Sequence, residues 1–122
     1  MADLSKYDLE LWRFKGEQGT YAGNTNAVSN ATLAAPGAGF RLRAIKIDAS
    51  FSDSTVSGLL RLYSGANIVL EKYIHGAGAL DCPEWGFPAD ATNTALTANL
   101  AAGGSSVVGT VCITGFKHPD PN

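Results

Sequence analysis

Few side chains in this 122-residue sequence have the types and spacing for chemistry. His75, Asp81 and Cys82 lie within eight positions, close enough to suggest three corners of a zinc site. No fourth ligand stands at metal-motif spacing, and structural zinc takes four. Asp8 and Glu10 would share one face of a strand, which gives paired carboxylates but equally a solvated surface. Asp48 and Asp53 sit among serines without the ligand spacing of a calcium loop, so solvated turn residues are the better reading. His118 lies near the end, before Pro119. No GxSxG elbow and no phosphate-cradling glycine loop between a strand and a helix is present. Cys82 and Cys112 can be free thiols or a pair; free thiols fit a cytoplasmic origin. Nothing here points to an enzyme or to a cofactor.

The aromatic residues offer a different chemistry. Trp12, Tyr63, Tyr73 and Trp85 would stack on sugar rings if the fold brought them together, and core or interface packing would use them equally well. Trp12 and Phe14 stand near the start, Trp85 and Phe87 in a late turn. Tryptophan is enriched among residues that dominate protein interfaces, so these four are the candidate contact residues.

The elements that would position them are strands. Phe40–Phe51, FRLRAIKIDASF, is the longest strand-like stretch, bounded by Pro36-Gly37-Ala38-Gly39 and Ser52-Asp53-Ser54. Leu42 and Ala44 share one phase, and Ile45, Ile47, Ala49 and Phe51 the other. A β-bulge near Arg43–Ala44 would bring both sets to one core. Gly58–Tyr63 and Ile68–Ile74 alternate on either side of Ser64-Gly65-Ala66-Asn67, a hairpin connection. Asn93–Leu100 and Ser106–Phe116 are further strands, Ala27–Ala35 an earlier one, and Glu84–Phe87 a strand-like turn. Tyr7–Lys15 reads as a first strand with a bulge, with a short amphipathic helix over 3–12 still open. Gly16–Asn26 and His75–Leu80 read as loops, and residues 1–6 as loosely held.

The expectation is an all-β sandwich or barrel of seven to eight strands. Residues 1–26 form an N-terminal arm and loop, 27–117 the sandwich, and 118–122 a tail. A net charge of −2 with nine scattered basic residues argues against direct nucleic-acid binding. Charged residues are only 16% of the chain, against roughly 25% in typical soluble domains. Such a surface suits contact with other proteins. No signal peptide and no membrane-spanning run is visible, so synthesis in a cytoplasm is expected.

From Val28 onward the order of features resembles small β-sandwich proteins encoded among the structural genes of tailed bacteriophages. The likeness rests on Ala34-Ala35-Pro36-Gly37-Ala38-Gly39 leading into Arg41-Leu42-Arg43-Ala44, then a hairpin, then Glu84-Trp85-Gly86-Phe87. Ala95-Leu96-Thr97-Ala98-Asn99-Leu100 and Val108-Gly109-Thr110-Val111-Cys112-Ile113-Thr114-Gly115 complete it. The resemblance implies a jelly-roll-like β-sandwich of antiparallel strands, and a capsid-decoration (cement) protein on the virion surface. It would be a homotrimer whose partner is the major capsid protein. Residues 1–26 lie outside the likeness, and contact through Trp12, Phe14, Trp85 and Phe87 is expected from their residue types. A tail or baseplate component shares the fold and differs in partner. A carbohydrate-binding module is the alternative from another class.

Overall fold

The computed structural model describes residues 6–120, with side chains from Asp8 onward. One helix, α1 (Lys6–Gly16), precedes nine strands: β1 (Gln18–Thr25), β2 (Ser29–Leu33), β3 (Phe40–Phe51), β4 (Ser57–Ser64), β5 (Asn67–His75), β6 (Ala77–Leu80), β7 (Phe87–Pro88), β8 (Leu96–Leu100) and β9 (Val108–Pro119). Every strand pairing is antiparallel.

The hydrogen-bonded path runs β1-β9-β3-β6-β5-β4-β8-β2, with the two-residue β7 paired to β3. It folds over at the β6–β5 junction, where the only register pair is His75↔Ala77. One layer is then β1-β9-β3-β6 and the other β5-β4-β8-β2. The partnerships nest along the chain: β4 with β5, β3 with β6, β2 with β8, β1 with β9. Rolling that long nested ladder brings β3 against β9 and β4 against β8. This arrangement is a jelly-roll sandwich, in which every strand of the path but the outermost two has a neighbour on each side. The turnover needs Gly76. Its φ of 72° lies in the left-handed region, and a Cβ there would stand 2.8 Å from the Ser54 carbonyl oxygen.

The core follows from alternation. Leu60 and Leu62 of β4, Leu96, Ala98 and Leu100 of β8, and Val111 and Ile113 of β9 are fully buried between the layers. In β3 the register with β9 shifts between Ala44 and Lys46, with Ile45 as the extra residue. Leu42 and Ala44 before the shift, and Ile47, Ala49 and Phe51 after it, therefore all face inward. The expected bulge is one residue from its predicted place. The β4–β5 hairpin turns on Gly65-Ala66, as read from the sequence.

Several local expectations are corrected. Tyr7–Lys15 is helical, not a bulged strand. Leu9 is buried and Trp12 and Arg13 are half-buried, a spacing of i, i+3, i+4 that is helical periodicity. The expected loop at 16–26 is largely β1, paired residue for residue with β9 from Gln18↔Gly115 to Thr25↔Val108. Gly19 and Gly23 lie against Thr114 and Thr110, so the glycines that suggested a turn instead let an edge strand lie close. Ala77–Leu80 is β6 rather than a free loop, because Ala77–Leu80 pairs with Ser50–Ile47. The expected tail begins inside β9, where His118 and Pro119 pair with Arg41 and Phe40. Residues 1–5, expected to be loosely held, and 121–122 lie outside the described residues.

Candidate functional site

The helix α1 packs on β9. Leu9 is its buried residue, and Phe116 of β9 is buried as well, though neither belongs to the cluster between the layers. Trp12 sits half-buried, its ring edge-on to Phe40 at 6.1 Å between centroids and 70° between planes. Leu11 and Phe14, three apart on the other side of the helix, face outward; Phe14 is 89% exposed and Leu11 50%.

Beside Trp12 lies a groove of about 410 Å³ lined by Trp12, Lys15, Gln18, the Ala34–Pro36 segment and Lys117. The Lys15 ammonium lies 5.4 Å from the Trp12 ring centroid, and the Lys117 ammonium 4.8 Å from that of Phe40. Both are cation–π geometries. Sequence reasoning found Trp12 and missed the lysines. Lys15 and Lys117 come from opposite ends of the chain, and only β9 continuing to Pro119 brings the second to the first.

Trp85 and Phe87 occupy a different place. Phe87 pairs with Ala44 through β7 and packs against the main core, so it serves as a plug. Trp85 is half-buried in the preceding turn. The Arg43 guanidinium donates through Nη1 to the Gly86 carbonyl at 3.2 Å, with the Trp85 carbonyl at 3.5 Å. Arg43 Nε also donates to His118 Nε2 at 2.9 Å. That bond requires an unprotonated Nε2, so the ring proton sits on Nδ1, 3.0 Å from the Pro119 carbonyl oxygen. Burial is the main cause holding the His118 pKa below its ordinary value, and the Arg43 and Arg41 charges add to it. Asp120 and the Pro119 carbonyl act in the opposite sense.

The four aromatics considered as a sugar platform do not share one face. Tyr63 and Tyr73 do lie on the outer face of the β4–β5 pair. Between them one row crosses four strands: Asn30, Asn99, Arg61 and Glu71. Asn99 donates to Asn30 at 2.7 Å, and Arg61 Nε to Glu71 at 2.6 Å. One tyrosine flanks the ion pair toward each strand end, and Tyr73 is 67% exposed.

The remaining polar candidates stay local. Asp8 and Glu10 are on a helix, where residues two apart point to different sides, so they are not a carboxylate pair. His75 Nδ1 is 2.6 Å from Ser57 Oγ, a cross-strand contact, and among the described residues no carboxylate is bonded to the ring's other nitrogen. Among the described residues no three His, Cys, Asp or Glu side chains converge as a metal site would require. Asp53 accepts from the Thr55 backbone N–H at 2.9 Å and its hydroxyl at 2.7 Å; these bonds lower its pKa and make it a turn residue. Cys82 and Cys112 are free thiols, both pushed up mainly by burial. No described helix is long and apolar enough to cross a membrane.

By strand order the chain belongs to the class of double-sheet jelly rolls. No protein-family model matches it, and no curated protein matches it in sequence. Among solved structures it is similar to the carbohydrate-binding module CBM36 in complex with calcium and xylotriose, at 10% identity and a TM-score of 0.42, over 75% of this chain and 76% of that one. It is also similar to the virus-like particle of the extra small virus of the giant freshwater prawn Macrobrachium rosenbergii, at 11% identity and a TM-score of 0.35, over 82% and 77%. A third is a Paenibacillus sp. cycloisomaltooligosaccharide glucanotransferase complexed with cycloisomaltoheptaose, at 15% identity and a TM-score of 0.34, over 79% of this chain and 16% of that one. All three likenesses are loose.

Proposed function

We propose that this protein is a non-enzymatic structural component of a tailed-bacteriophage virion. In this reading it is a head-decoration, or cement, protein that binds the major capsid protein and bridges neighbouring capsomers. The observation that carries it is the outward stripe of α1. Phe14 is 89% exposed and Leu11 50%, on a helix whose other side is held against β9. Burying one such side chain in a partner is worth roughly 1.5–3 kcal/mol. As a homotrimer the protein would present three such stripes, and avidity would multiply the effect. The resemblance to phage virion sandwiches supports the same reading. Jelly rolls serve as capsid domains and as lectins alike, so the fold leaves the partner to the surface. A tail or baseplate partner would use the same stripe.

The test is Phe14→Ser. The side chain contributes little to folding, so thermal stability should stay within about 0.5 kcal/mol of the parent. Binding to expanded heads that lack the protein should weaken by about tenfold or more, the counterpart of the burial lost. A variant that coats heads as the parent does would remove the reading. The second reading, a carbohydrate-binding module, is favoured by the Tyr63–Arg61–Glu71–Tyr73 face. Saturable sugar binding by the isolated protein, lost in Tyr73→Ala and kept in Phe14→Ser, would put it first.

A further inference from the structure

The groove beside Trp12 is a donor-rich site with no acceptor of its own charge. Lys15 and Lys117 both border it, and among the described residues neither ammonium has a carboxylate within ion-pair distance. Each ammonium instead rests over a ring, Trp12 or Phe40. The Trp12 indole N–H has no hydrogen-bond partner within the described protein. Ala34, Ala35 and Pro36 add apolar side chains to the lining. The volume of about 410 Å³ falls in the range of pre-formed ligand clefts.

We infer that this groove takes an acidic peptide segment of a partner protein, its carboxylates on Lys15 and Lys117 and an apolar side chain between Trp12 and Pro36. Charge complementarity selects the occupant: two cations face the groove and no carboxylate lines it. Two lysines beside an apolar wall do not make the extended basic track that a nucleic-acid backbone requires. The inference deepens the reading of α1 as the docking element and rests on it. Leu11 and Phe14 would meet the partner's surface on one side of the helix, while its acidic segment enters on the other.

The probe is a blocked hexapeptide of alternating Asp and Leu, with an Asn/Leu twin as control. Binding is followed on the Trp12 indole N–H resonance, assigned by its disappearance in Trp12→Phe. The Asp peptide should shift that resonance saturably, more weakly as salt rises. The Asn twin should bind at least tenfold more weakly, and so should the parent peptide to the double variant Lys15→Glu, Lys117→Glu. Both lysines are at the surface, so that variant retains its fold. No shift with millimolar Asp peptide, equal binding of the Asn twin, or a stronger shift with a short oligothymidylate would each overturn the inference. The titration uses no capsids, so its failure and that of the head-binding test are separable. Heads that still bind a protein whose groove ignores the Asp peptide leave the docking helix standing without the groove.

Discussion

Gly115→Ala should destabilise the protein by about 3 kcal/mol, an overpacking cost at the upper end of its usual range. Gly115 is buried in β9 opposite Ala44, at the edge of the β3 bulge. A Cβ there would run into the Arg43 carbonyl oxygen and would stand 2.8 Å from Leu33 Cδ1. Leucine can change rotamer; a carbonyl fixed in the β3–β9 ladder cannot. Relief would have to come from the bulge that brings Leu42 and Ala44 into the core. For a domain of this size the loss should lower the thermal midpoint by about 10 °C. The control is Gly16→Ala at the end of α1, where nothing lies within 4 Å of a Cβ. Its midpoint should move by no more than about 0.5 kcal/mol's worth. Equal midpoints for the two variants would show that the bulge is not packed as described.

Stability should also fall as the pH drops below about 6.5, the value of an unperturbed histidine. His118 is 4% exposed and accepts from Arg43, which needs the neutral ring. Its folded-state pKa is depressed, chiefly by burial. In the unfolded chain the ring takes up its proton near 6.5. In the folded chain it resists until lower pH, so the unfolded state binds more protons across that window. The stability held in the neutral ring is complete above the unfolded value and is lost as pH falls through the folded one. Protonation would replace an acceptor with a donor facing Arg43, with Arg41 also near. His118→Gln keeps an acceptor for Arg43 without titrating, so its midpoint should stay flat between pH 7 and pH 5. Parallel slopes for His118→Gln and the parent would refute the assignment.

The inner strands were legible because their alternation is regular and their boundaries carry turn residues. Leu60 and Leu62, or Leu96, Ala98 and Leu100, read directly as one buried face. The misread elements share a cause: their structure depends on a distant partner. Gln18–Thr25 has the composition of a loop and becomes β1 because β9 offers an edge with Thr114 and Thr110 facing its glycines. Ala77–Leu80 is too small and too glycine-rich to show a phase of its own, and β3 supplies its register. In α1 the run Leu9, Leu11, Trp12, Phe14 looks like a strand that changes phase. It is two helical pairs, 9 with 12 and 11 with 14, on opposite sides. Of the contact candidates, Phe14 is exposed at the surface. Phe87 instead pairs with Ala44 and packs against the core. The lysines of the groove carried no signal at all before β9 placed Lys117 beside α1.

The nested ladder has a kinetic consequence. Closing a longer loop costs more entropy, so the β4–β5 hairpin, joined by two residues, is the cheapest pairing to make first. Each enclosing pair then starts from ends already brought together, as a zip closes outward. Gln18 and Gly115 meet last. A topology so rich in distant pairings belongs with slow folders, in milliseconds to seconds. Pulsed hydrogen exchange during refolding should protect the β4–β5 amides before those of β1, and the reverse order would contradict the scheme. The helix α1 thus hangs from the last strand to be secured, so its exposed Leu11 and Phe14 take their place only on a finished block.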